Sequence, residues 1–108
     1  MFTAKELNSI DRNYFYVIDV SDTIVRLQSK NTLHGWHIVQ PDNEYVSYSG
    51  CIIYHRHENQ YEYHRHGYAK NLQDAIKQIK SHDQFQIKNR WKGFSYSDYR
   101  KAFTPTFD

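Results

Sequence analysis

The tetrapeptide Tyr-His-Arg-His occurs twice, as Tyr54-His55-Arg56-His57 and Tyr63-His64-Arg65-His66. Such alternation suits a β-strand, whose successive side chains point to opposite faces. Glu58-Asn59-Gln60 between the copies is polar and turns the chain. The two copies therefore predict a hairpin over 54–66, with histidine sorted to one face and Tyr/Arg to the other. This constrains the fold more than any other stretch, because a sheet face of imidazoles is costly to bury and unusual to expose.

Loop length decides whether the two histidine rows meet. With Glu58 to Tyr61 as the loop, His57 pairs with Glu62 and His55 lies opposite His64. Cys51, Ile53, His55, His57, Glu62, His64, His66 and Tyr68 then share one face. Ile52, Tyr54, Arg56, Tyr61, Tyr63 and Arg65 share the other. An odd-length loop shifts one strand by one residue and dissolves the cluster. Even loops are at least as common in hairpins, which favours the clustered register. Ile52 and Ile53 fall on opposite faces, so the sequence leaves open which face is buried.

The core must be ring-rich. The chain has 108 residues, enough for a single domain over 1–108. It has only 4 Leu, 9 Ile and 5 Val, against 10 Tyr, 6 Phe and 2 Trp. Aromatics at 17% and a net charge of +2 argue against disorder. Buried rings cover about 150–250 Å² each and fill space that Leu fills elsewhere. A single cysteine, Cys51, excludes an internal disulfide and a multi-cysteine zinc ribbon. The lack of a long apolar run predicts no membrane span, and the N-terminus lacks a signal-peptide layout. The expected location is cytoplasmic.

Thr3 followed by Glu6 is a capping box and predicts a short helix over about 3–10. Tyr14–Val20 and Thr23–Gln28 read as two strands around Ser21-Asp22, or one long bent strand. Gly35–Val39 is a third strand, and Pro41-Asp42-Asn43 is a turn. Tyr45–His57 and Tyr61–Tyr68 are the next two strands. Asn71 is an N-cap, and Leu72, Ala75, Ile76 and Ile79 make one apolar stripe, predicting a helix over about 71–82. Lys77, Lys80 and His82 crowd its C-terminal end, where positive charge is favoured. Phe85 and Ile87 alternate with polar residues, so 84–91 reads as a last strand. Ser95 or Ser97 is placed to cap a final helix through Ala102. The fold class is thus α+β: an antiparallel meander of four or five strands, the 71–82 helix on one face, and short terminal helices. Core candidates are Phe15, Val17, Val25, Leu27, Trp36, Ile38, Ile52 or Ile53, Leu72, Ala75, Ile76, Ile79 and Ile87.

Function is less legible. The face with Tyr54, Arg56, Tyr63 and Arg65 presents rings and guanidinium planes of the kind on which single-stranded nucleic acids stack. Tyr and Arg are equally at home in protein interfaces. The favoured reading is a non-enzymatic module that binds a macromolecule, either nucleic acid or a nucleic-acid-handling protein. It would use an exposed Tyr/Arg/His sheet face and the 54–66 hairpin, including His55, His57, His64 and His66. A protein inhibitor or adaptor of phage or mobile-element type is the first alternative, and edge strands leave a homodimer open. Metal is a further alternative. Cross-strand Cβ atoms stand roughly 5 Å apart, so His55 and His64 are spaced to share Zn²⁺, with Glu62 or His66 adding a ligand. Flat sheet faces seldom wrap four ligands round one ion, so the favoured reading carries no cofactor. Four imidazolium ions on one face would also lower one another's pKa, unless solvent screens them.

A histidine-dependent small ribonuclease is the remaining alternative. The run Gly50 to His57, then His66-Gly67, then a helix with Ile76 and Ile79, resembles the strand-strand-helix layout of small HicA-type toxin ribonucleases. The resemblance covers about 30 residues and rests on layout without a matching motif. It implies a histidine on a sheet strand that acts on RNA. The helix that precedes the sheet in that family is short or absent here, so no catalytic residue is carried over.

Overall fold

The computed structural model describes residues 1–41, 50–57 and 62–91, with Arg90 and Trp91 described by backbone alone. The elements in chain order are α1 (Ala4–Asn8), β1 (Phe15–Val20), β2 (Ile24–Ser29), β3 (Gly35–Val39), β4 (Cys51–Arg56), β5 (His64–Ala69) and α2 (Leu72–Trp91). The strands form one antiparallel sheet in sequential order, β1 to β5, with α2 packed across one face over β4 and β5. This is the expected α+β meander. The long bent strand is not formed: Ser21 and Ile24 close a turn, and Val20 pairs with Val25.

Local chemistry accounts for the elements. The Thr3 hydroxyl accepts from the Glu6 amide at 3.1 Å, and Glu6 Oε1 accepts from the Thr3 amide at 3.0 Å, completing the capping box of α1. The other Glu6 oxygen accepts from the Leu72 amide at 3.3 Å and joins this short helix to the start of α2. Phe2 and Ile10, which flank α1, are both buried. On the sheet's inner face Val25, Leu27, Trp36, Ile38 and Ile53 are all 0% exposed. Leu72, Ala75 and Ile79 of α2 close over them, also at 0%. Each large apolar side chain so buried contributes about 1.5–3 kcal/mol before entropy is counted. Ile53, not Ile52, faces the core.

The second half of the chain departs from expectation in three ways. Residues 84–91 continue α2 instead of forming a strand, and Ile87 is half-buried while Phe85 is exposed. The buried stripe of α2 runs through Leu72, Ala75, Ile79, His82, Asp83 and Gln86, at unbroken helical spacing. It turns from apolar to polar at His82, which hides the continuation from a reading that follows hydrophobicity. His82 is consequently buried at 5% exposure and is not a solvated cation at a helix end. Finally, Tyr68 is exposed on the outer face. His55 pairs with His64 and Tyr54 with Arg65, as the even loop requires, but Ile53 pairs with Gly67. His66 is therefore the extra residue of a bulge, and one extra residue reverses the facing of everything beyond it. Ala69 turns inward opposite Cys51 and Tyr68 turns outward. Residues 45–49 of the expected long strand, most of the Pro41-Asp42-Asn43 turn, Tyr61 and the expected final helix lie outside the described residues.

Candidate metal centre

Six of the seven histidines gather between the sheet and α2. Strand β4 supplies His55 at its inner face, and His57 follows one residue past its end. β5 supplies His64 opposite His55, and His66 at the bulge. α2 supplies His82. His34 comes from the turn before β3, where Leu33 has φ of 62°. This left-handed residue lets the Ser29 amide donate to the His34 carbonyl at 3.0 Å, and the His34 ring enters the core at 1% exposure. His37, the seventh, lies on the outer face.

The rings are closely packed. His55 stacks on Trp36 at 4.3 Å between centroids and on His34 at 4.9 Å. His82 meets His55 edge-on at 4.9 Å. His34 Nδ1 and His55 Nε2 are 2.7 Å apart, so one ring donates and the other accepts according to tautomer. His55 is 0% exposed, and its Nδ1 has no hydrogen-bond partner among the described residues. Two sets of three ring nitrogens lie within 4.8 Å of one another: His34, His55 and His82, and His55, His57 and His64. The pair expected from sequence, His55 and His64, is thus brought together, but the fully buried set takes its other ligands from His34 and His82. Glu62 is exposed and belongs to neither set, nor does His66.

Burial dominates the electrostatics. It drives the His55 pKa far down, with neighbouring His82, His34, His57 and His66 adding to the shift. Burial first, then His66, His34 and His57, lowers His82 to about 2. Burial and then His64 lower His66 to about 4. These three imidazoles are neutral at physiological pH, the form that binds metal.

A carboxylate anchors the turn that carries His34. Asp83, 0% exposed, accepts from Ser29 Oγ at 2.6 Å, Tyr14 OH at 2.8 Å and Thr32 Oγ1 at 2.9 Å. Trp36 Nε1 donates to Ser29 Oγ at 3.0 Å, and the His34 amide donates to Thr32 Oγ1 at 3.3 Å. Burial raises the Asp83 pKa despite these three donors. Asp83 follows His82 in α2, so the network holds His34 and His82 in register across the layer. Gln86 Nε2 lies 2.9 Å from His82 Nε2, which leaves Gln86 Oε1 without a partner among the described residues.

The Tyr/Arg row lies on the face away from α2. Tyr54, Arg56 and Tyr63 are half-buried, and Arg65 is exposed. Tyr63 stacks on His37 at 3.7 Å between centroids, with the Arg56 guanidinium 5.7 Å from its ring. Arg65 stands 5.6 Å from the Tyr68 ring, and its Nη1 donates to the Tyr68 hydroxyl at 3.0 Å.

Sequence reasoning missed His34 and His82 because neither belongs to the duplicated motif. A signal existed for His82, since it continues the 72, 75, 79 spacing. His34 had none, because its inward turn depends on Leu33 and on Asp83 from a distant helix. Cys51 is buried and its thiol is pushed up to about 12 by burial and by the charges of Glu6 and Asp74, so it is inert. No protein-family model, curated protein or solved structure matches the chain.

Proposed function

We propose that the chain is a transition-metal-binding module that holds one Zn²⁺-class ion on His34, His55 and His82. The observation that carries this reading is three buried imidazoles from a turn, a strand and a helix, with ligand nitrogens within 4.8 Å. An all-imidazole set suits Zn²⁺, Cu²⁺ or Ni²⁺ and disfavours Mg²⁺ and Ca²⁺, which demand oxygen. Ligands about 2.0–2.1 Å from a tetrahedral ion stand about 3.3–3.4 Å apart. The His34–His55 separation of 2.7 Å is shorter, so the rings must part slightly as the ion replaces their shared proton. A metal on His82 Nδ1 would place the proton on Nε2, where the Gln86 oxygen would accept it after an amide flip. A hydrogen-bonded outer partner of this kind commonly orients a metal-bound imidazole.

Metal analysis and thermal denaturation of chelator-stripped protein test the reading. One Zn²⁺ per chain and a melting temperature that rises with free Zn²⁺ are expected, and His82→Ala should need much more free Zn²⁺ to reach either. A Zn²⁺-independent melting temperature in the wild type would refute it.

A second reading concerns the outer face. The His37–Tyr63 stack flanked by Arg56 supports recognition of nucleic acid, or of a nucleic-acid-handling protein, around Tyr54, Arg56, Tyr63 and Arg65. The module would then be metal-stiffened inside and functional outside. A binding constant for single-stranded oligonucleotides that falls steeply with salt is the expected result. A flat salt response would redirect the search to a protein partner of inhibitor or adaptor type. Cleavage of RNA by His55 gains no support, because its ring lies between Trp36, His34 and α2. No described helix is long and apolar enough to cross a membrane. A single buried thiol fits the reducing conditions of the cytoplasmic setting proposed for the chain.

A further inference from the structure

The two sets of histidines share one member. We infer that His55, His57 and His64 form a landing site through which an ion passes to His34, His55 and His82, with His55 retained as the common ligand. The inference rests on the metal reading above and adds a route and an order of ligand exchange.

Three observations support it. First, the inner ligands are sealed: His34, His55 and His82 are 1%, 0% and 5% exposed. An ion arriving from water meets none of them first. In the outer set His57 is also buried at 4% and the Nε2 atom of His64 is buried, but the His64 side chain as a whole is only half-buried, at the start of β5. His64 is thus the one member of either set with appreciable exposure.

Second, the ring spacing is graded. His64 lies 6.0 Å from His57 between centroids and 5.4 Å from His55, while His57 lies 4.8 Å from His55 and 5.0 Å from His34. His55 is the nearer neighbour of both His64 and His34, so the ring common to the two sets bridges the partly exposed His64 and the inner turn. An ion can exchange one nitrogen donor for another, His64 for His34 and then His57 for His82, without returning to water. Each step breaks one metal–nitrogen bond and forms one, so the charge of the site does not change.

Third, sharing favours one ion at a time. Two ions held together would both need His55, through both ring nitrogens and at the loss of its proton. Two dications would then face each other across one imidazole in a poorly screened interior.

Rapid mixing of stripped protein with Co²⁺, whose visible spectrum reports its coordination, tests the route. His64→Ala should slow capture by on the order of tenfold. It should leave the final spectrum, the stoichiometry of one and the equilibrium affinity nearly unchanged. Detailed balance then requires release into excess chelator to slow by the same factor, a reading that a merely destabilised protein would not give. His82→Ala should capture Co²⁺ at the wild-type rate but end in a weaker, spectrally different complex. An unchanged capture rate in His64→Ala, or two ions per wild-type chain, would overturn the landing site while leaving metal binding intact. Failure of the wild type to bind Co²⁺ or Zn²⁺ would overturn both. Circular dichroism establishes that the variants fold, and His64→Gln replaces the alanine variant if that one does not.

Discussion

Acid should unfold the metal-free domain through its buried histidines. Free imidazole has a pKa of about 6.5, and the unfolded chain titrates near that value. In the fold, His55 is driven far down, His82 to about 2 and His66 to about 4. Below about pH 6.5 the unfolded state binds more protons than the folded one, so stability falls as pH falls. Stability from these groups is complete above the unfolded pKa and erodes below it until each folded pKa is reached. At about pH 5 each imidazole held neutral costs about 2 kcal/mol. His55 and His82 together cost about 4, and the half-buried His66 adds about 1 after allowance for screening. The total of about 5 kcal/mol rivals the whole stability of a small domain, about 5–15 kcal/mol. Asp83 acts in the opposite sense: its raised pKa means that protonation favours the fold, which offsets part of the loss as pH nears that value. The assay is urea unfolding in chelator at about pH 7.5 and about pH 5, followed by circular dichroism. His82→Leu should flatten the pH slope by about one proton. Equal urea midpoints at the two pH values, with equal m-values, would refute the claim that these rings are buried and neutral.

Three further outcomes follow from single sites. Asp83→Ala removes the acceptor for three hydroxyls, those of Ser29 and Thr32 buried and that of Tyr14 partly so, and should cost about 3 kcal/mol in urea unfolding, while Tyr14→Phe, which removes a donor together with its need, should cost about 1. Leu33→Asn should stabilise by about 0.5–1 kcal/mol in thermal denaturation, because Leu33 holds a φ of 62° at 43% exposure and Asn tolerates that region better. Gly35→Ala would place a Cβ 2.6 Å from the Tyr63 hydroxyl and 2.9 Å from Arg56 Nε. Both are mobile side-chain ends, so stability should change by less than about 1 kcal/mol, while oligonucleotide binding by the outer face should weaken.

Legibility varied with the range of the interactions involved. The five strands and the start of α2 could be read because turn residues, β-branched runs and the Asn71 cap act over a few positions. The pairing of His55 with His64 was the favoured of two registers, on the frequency of even loops. The bulge at His66 was not read, although Gly67 beside it is the kind of strand glycine that marks one; it lets His66 and Ala69 both face inward. The misreading of 84–91 has a similar origin. Phe85 and Ile87 match a strand's period over four residues, whereas the helix is held by the contacts of His82, Asp83 and Gln86 with the sheet. Tertiary burial overrode a weak local pattern.

The duplicated motif carried, within its own residues, the sorting of imidazoles from Tyr and Arg. Alternation is a property of the extended backbone and needs no partner. It could not say which face α2 would cover, nor that the histidine face would be the buried one. That followed from docking: the polar end of the α2 stripe requires polar company, and the strands' histidine face supplies it. The same docking brought His82 and, through Asp83, His34 to the ring of His55. The proposed centre is therefore non-local, built from residues 21 and 27 positions away from His55 in the chain, because nitrogens that converge in space depend on packing between layers and not on spacing in sequence.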